Sequence, residues 1–106
     1  MRVFLDDERM PEDVPGLPDP DAWVIVRSAE ECIALLAAGG VEAVSLDHDL
    51  GADVPTGYDV ACWIEAAQVE GGPLPARVYV HTANPVGRGR IVAALRGLAV
   101  TVLTGG

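Results

Sequence analysis

The sequence predicts an α/β fold: a five-stranded parallel sheet in the order 2-1-3-4-5, with the helices after its first and last strands missing. Three observations lead there. Short apolar runs alternate with stretches of helical period, which implies parallel strands joined by right-handed crossovers. Three of those runs stop abruptly at polar residues: Val3-Phe4-Leu5 at Asp6-Asp7-Glu8, Val44-Ser45-Leu46 at Asp47-His48-Asp49, and Val78-Tyr79-Val80 at His81-Thr82-Ala83-Asn84. Strands that leave a sheet in this way present polar groups at its carboxyl edge, where open α/β sheets bind ligands. Finally, Pro11, Pro15, Pro18 and Pro20 follow the first strand at a spacing through which no helix can run.

Taken in order, Arg2 to Leu5 is β1, and Met10 to Ala22 is a loop crossing the sheet. Trp23 to Val26 is β2. Ser28 and Glu31 stand as a capping box opening α1, in which Cys32, Leu35 and Leu36 recur at helical spacing until Gly39-Gly40. Ala43 to Leu46 is β3. Thr56 caps α2, Gly57 to about Glu70, whose buried face is Val60, Trp63, Ile64 and Ala67; Gly71-Gly72-Pro73 ends it. Arg77 to Val80 is β4. Asn84 as N-cap and Pro85 at the first position start α3, with Ile91, Val92 and Leu95 inward. Ala99 to Leu103 is β5. The flavodoxin-like order places the switch point between β1 and β3, so Asp6, Asp7, Asp47 and Asp49 fall on adjacent strand ends, with His81 and Thr82 next door on β4.

The chain has 106 residues, half of them apolar, which suits one domain over residues 1–106. No apolar run spans a bilayer and no basic-then-apolar signal opens the chain, so a cytoplasmic protein without a membrane is expected. A net charge of −9 argues against an extended nucleic-acid surface. It is compatible with a small phosphorylated ligand where a metal inverts the local charge. Cys32 and Cys62 read as buried thiols, and Trp23 and Trp63 as core.

The four carboxylates are hard oxygen ligands suited to a divalent ion such as Mg²⁺, Mn²⁺ or Ca²⁺, and a nearby imidazole shifts the preference toward Mn²⁺ or Zn²⁺. The alternative for each pair is that one member caps a turn. His48 and His81, on separate strand ends beside acids, suit a general acid and base; the plainer reading is two structural histidines. Asn84 either binds a phosphate oxygen or caps its helix. Arg88 and Arg90, with Arg9 and Arg27, are four of the seven bases. Arg88 and Arg90 oppose the dipole at the start of α3, a placement that points to an anionic partner.

These residues resemble the receiver domains of two-component regulators. The acidic pair Asp6-Asp7 follows β1, Asp47 stands at the phosphoacceptor position after β3, and Thr82 matches the hydroxyl residue after β4. The receiver lysine after β5 has no counterpart in Val102-Leu103-Thr104-Gly105. A narrower resemblance fits better. Leu5-Asp6-Asp7-Glu8-Arg9, Ser45-Leu46-Asp47-His48-Asp49-Leu50-Gly51, Thr56-Gly57-Tyr58-Asp59 and His81-Thr82-Ala83-Asn84-Pro85-Val86-Gly87 are similar to a receiver-like family proposed to process cyclic phosphates and discussed with RNA repair. That resemblance implies a phosphoesterase for a 2′,3′-cyclic phosphate or a related nucleotide or RNA end. His48, His81 and Asp47 would be catalytic; Asp6, Asp7, Asp47 and Asp49 would hold Mg²⁺ or Mn²⁺; Thr82, Asn84, Arg9 and Arg88 would bind phosphate. The competing expectation is a degenerate receiver acting as a binding or signalling module, and a third is a purely structural partner domain.

One more expectation concerns the sheet. With three helices on one face, the other is bare unless the loop from Met10 to Ala22 covers it with Met10, Val14 and Leu17. The strands nevertheless read apolar at successive positions, as strands buried on both faces do, so pairing of two copies, or docking on a partner, through that face is expected.

Overall fold

The computed structural model describes residues 1–104; Gly105 and Gly106, the first of which closes the segment compared with the receiver lysine, lie outside the described residues. Five parallel strands form one sheet in the order β2-β1-β3-β4-β5. They are β1 (Arg2–Leu5), β2 (Trp23–Val26), β3 (Ala43–Leu46), β4 (Arg77–Val80) and β5 (Thr101–Leu103). The helices are α1 (Ala29–Ala38), α2 (Gly57–Glu70) and α3 (Pro85–Leu95). β5 starts two residues later than its apolar pattern suggests. Gly97 adopts a positive φ of 81°, and ladder pairing begins only at Thr101, whose N–H reaches the Ala76 carbonyl at 2.9 Å.

The local signals act as their chemistry dictates. Ser28 Oγ accepts from the Glu31 N–H at 3.2 Å, while the Glu31 carboxylate accepts from the Arg27 N–H rather than from that of Ser28. Thr56 donates its N–H to Asp59 Oδ2 at 2.7 Å. Asn84 Oδ1 accepts from both Val86 and Gly87 N–H groups, so the first turn of α3 is satisfied from within the chain.

Alternation along the strands divides the core. Val3, Leu5, Val44, Leu46, Val78 and Val80 face one way and pack with Ala29, Cys32 and Leu36 of α1, Val60, Ala61 and Ile64 of α2, and Ile91 and Leu95 of α3. All three helices therefore cover the same face. Trp63 is only half-buried at the flank of this core, and Ala61 takes an inward position in its place; Val92 is likewise half-buried. Phe4, Trp23 and Ala43 face the other way with Leu17, which the loop lays over them; Val14, Ile25 and Tyr79 complete that smaller cluster. The loop is less irregular than its prolines suggest: Pro11–Asp13 and Pro20–Ala22 each form a 3₁₀ turn with proline at its start. Leu17 and Trp23 are under a tenth exposed, so the loop substitutes for the missing helix over β1 and its neighbours.

Register carries the fold to its site. Leu5 sits between Val26 and Leu46, and Leu46 beside Val80. The ladder continues one step further through N–H groups of Asp6 to Val26, Asp47 to Leu5 and His81 to Leu46. Asp6, Asp47 and His81 thus lie in one row across three strands, immediately past the last apolar row. No helix among the described residues is long and apolar enough to cross a membrane.

Candidate active site

Alternation decides which member of the first acidic pair turns inward. Asp6 is 1 % exposed, whereas Asp7 is half-buried. An isolated carboxylate at that depth is costly unless it is paired and hydrogen-bonded. Asp6 is both. Its Oδ1 accepts from the N–H groups of Glu8 and Arg9, each at 2.9 Å. Its Oδ2 accepts from Arg9 Nε at 2.9 Å and faces His81 Nε2 at 3.0 Å. Burial works to raise the Asp6 pKa, but those N–H groups, His81 and the Arg9 charge outweigh it and hold the carboxyl below its ordinary value.

His81 lies flat on Phe4, ring centroids 4.7 Å apart, with Nδ1 2.6 Å from Ser45 Oγ. Because Asp6 is an acceptor, His81 carries its proton on Nε2, and Nδ1 accepts from the Ser45 hydroxyl. The side chain is 3 % exposed. Burial depresses its pKa to about 4 against the pull of Asp6, and Arg9 adds to the depression, so at neutral pH the ring is uncharged. Ser45 is a residue the strand pattern hides. A hydroxyl inside an apolar run needs a partner when buried, and that requirement is the signal that points to His81.

Asp47 is held differently. Its Oδ1 accepts from the His48 N–H at 2.8 Å and stands 3.6 Å from Arg9 Nη2. Burial pushes its carboxyl above the usual value and the charge of Asp6 pushes the same way; the Thr82 hydroxyl, Arg9 and the His48 N–H only partly offset them. Two acids in one row therefore have opposite tendencies, one fixed as a carboxylate and one more readily protonated.

Asp6, Asp7, Asp47 and Asp49 line one cleft of about 500 Å³, together with Arg9, Thr82 and Asn84. The sequence-predicted site is thus assembled except at three residues. Arg88 borders the adjoining cleft, its Nη2 donating to the Thr82 carbonyl at 2.7 Å. His81 likewise borders the adjoining cleft rather than the acidic one. His48 packs its ring on Gly87, where a Cβ would run into it, and donates from Nδ1 to Asp49 Oδ1 at 2.9 Å; among the described residues the buried Nε2 has no hydrogen-bond partner. Asp49 Oδ2 in turn accepts from Asn84 Nδ2 at 3.3 Å. His48 and Asn84, the former first, hold the exposed Asp49 carboxyl below its ordinary value. Arg27, which the sequence marks only as one of the bases, ties the strand ends together. Its Nη1 donates to the carbonyls of Asp6 and Arg9 at 2.9 and 2.8 Å.

Asp6, Asp47 and His81 each offer one ligand atom, all within 4.8 Å of one another, so this cluster could hold a metal ion. Two carboxylates and an imidazole fit a divalent ion by donor type. Arg9 already places its guanidinium against both carboxylates, so an ion would have to exchange with it, and His81 would have to release Asp6.

Compared with known proteins, residues 1–97 match the family model described as the cyclic-phosphate processing receiver domain. No curated protein matches the chain. Among solved structures, the chain is similar to a CheY-like response regulator receiver domain protein from Methanospirillum hungatei JF-1. The TM-score is 0.58 at 13 % identity, over 99 % of this chain and 81 % of that one. At that identity the likeness speaks for the fold.

Proposed function

The chain belongs to the cyclic-phosphate processing receiver family, and from that premise we propose that it is a phosphoesterase hydrolysing a cyclic phosphate, 2′,3′-cyclic or a related nucleotide or RNA end, in the acidic cleft. The observation that supports this most is the pairing of Asp47, whose carboxyl is raised, with the Arg9 guanidinium in the same cleft. Ring opening needs a base for the attacking water, a proton for the departing oxygen and positive charge on the phosphoryl oxygens.

In this reading Asp47 takes the proton from water as its oxygen bonds to phosphorus. The bond from phosphorus to one ring oxygen breaks, and that oxygen receives the proton from Asp47. Arg9, with Nε and Nη2 engaged by Asp6 and the His81 carbonyl, turns its remaining edge to the phosphoryl group. The Thr82 hydroxyl lies on the same wall. Asp6 and His81 position Arg9. His48 and Asn84 position Asp49. Proton transfer thereby moves from the histidines, to which sequence reasoning assigned it, to Asp47, because both His81 ring nitrogens are engaged and the His48 ring is packed away. A divalent ion, Mg²⁺ or Mn²⁺, would be held by Asp6, Asp47 and His81 and would supply charge neutralisation at the phosphoryl group.

The second reading is a receiver-like binding module with Asp47 as acceptor. It draws on Asp47 and Thr82 standing on neighbouring strand ends as the resemblance requires. Against it, the chain contains no lysine at all. One experiment separates the two: cyclic nucleotides and model phosphodiesters with Mg²⁺, Mn²⁺ or Zn²⁺, beside labelling with acetyl phosphate. Monoester product without stable labelling supports the phosphoesterase; labelling at Asp47 without turnover supports the module.

A further inference from the structure

Beside the acidic cleft lies another of different chemistry, about 190 Å³ in volume. Its floor is the sheet face without helices, at Tyr79 and Leu103. Its roof is the loop at Val14 and Leu17. The two clefts share Arg9, Thr82 and Ala83, so one molecule can reach into both.

Among the described residues, the lining of this second cleft contains no carboxylate and two arginines, Arg9 and Arg88, in a chain of 16 acids and 7 bases. Apolar side chains and the Tyr79 ring make up much of the rest. Ligand sites combine an apolar wall of this kind with a few placed polar groups. Aromatic side chains and guanidinium planes are also the surfaces on which nucleobases stack. The volume suits a single ring system rather than a pair of stacked bases.

We propose that this cleft is a nucleobase subsite: it takes the base of one nucleotide whose cyclic phosphate lies across the shared edge, against Arg9 and Thr82. The assignment rests on the phosphoesterase reading and adds to it a substrate class, nucleoside cyclic phosphates in preference to base-free ones. Arg88 borders the base, and its bond to the Thr82 carbonyl ties the start of α3 to the partition between the clefts.

The test compares kcat/KM for adenosine and uridine 2′,3′-cyclic phosphates with that for glycerol 1,2-cyclic phosphate, which has the same reacting ring and no base. Wild type is expected to prefer the nucleotides by roughly tenfold or more, the scale of one base–aromatic contact. Val14→Trp fills the cleft from the loop, where Val14 is already half-exposed. It is expected to abolish the preference while leaving glycerol 1,2-cyclic phosphate hydrolysis at the wild-type rate. Tyr79→Ala provides a second probe, with melting curves confirming that each variant folds. Equal constants for all three substrates in wild type, or a preference that survives in both folded variants, overturns the subsite. Turnover of none of the three overturns the phosphoesterase reading, and the subsite with it.

Discussion

Arg9 Nε donates to the buried carboxylate of Asp6 at 2.9 Å, and the same guanidinium stands 3.6 Å from Asp47. A sheet edge that gathers acids has thus received its cation from the loop after β1. The receiver resemblance directs attention to the end of β5 for that charge, where there is none. Arg9 is itself held by Asp6, the His81 carbonyl and, through its own backbone, by Arg27. Its place is set from three strand ends, those of β1, β2 and β4.

Removing this cation should cost stability and open the site to ions. Arg9→Gln leaves two neighbouring carboxylates without a counter-ion, at a cost on the order of 2–3 kcal/mol. A divalent ion no longer has to displace the guanidinium. Thermal melts with and without Mg²⁺ or Mn²⁺ should show a larger ion-dependent rise in Tm for Arg9→Gln than for wild type. Equal rises in both would mean that ion and arginine do not compete.

Stability should fall as pH drops from about 6.5 toward 4, for a reason located in one ring. His81 titrates near 6.5 when unfolded and at about 4 when folded, so in that window the unfolded chain binds a proton that the folded chain does not. The contribution is complete above 6.5 and is lost progressively below it, by about 2 kcal/mol at a pH near 5. Asp47 acts in the opposite sense, since its raised pKa favours the folded state once it is protonated. Urea unfolding near pH 7.5 and near pH 5 should therefore show a smaller drop in His81→Gln than in wild type. An identical drop would remove His81 as the source.

The contact between His48 and α3 depends on Gly87 having no side chain. A Cβ there would run into the imidazole ring. Gly87→Ala should force His48 out of its place, with a loss of about 1–3 kcal/mol by overpacking, even though alanine is the better helix former. Denaturant titration measures this directly; a gain in stability would show that His48 is not confined by α3.

Much of this architecture is legible in the sequence because strands stop where apolar residues do. The row Asp6, Asp47, His81 follows from three such stops, and the caps Ser28, Thr56 and Asn84 from local hydrogen-bonding chemistry. Whether Asp6 or Asp7 turns inward is a matter of one extra ladder step past Leu5, which the pattern does not reveal. Ser45 reads as one more position in an apolar strand, though its buried hydroxyl partners Nδ1 of His81. His48 is misleading for a different reason. Its neighbours Asp47 and Asp49 both reach the cleft, yet its own ring is captured by a glycine 39 positions away, a contact of tertiary origin.

Phosphorus NMR of a 2′,3′-cyclic nucleotide incubated with wild-type protein, Asp47→Asn and Arg9→Gln tests the central claim most directly. The account predicts conversion of the cyclic signal to a monoester by wild type and a rate lower by on the order of 10²–10⁴ in Asp47→Asn, as expected for loss of a general base. Arg9→Gln should also be slowed. Conversion at the wild-type rate by folded Asp47→Asn, or no conversion by wild type with or without divalent ions, would contradict it.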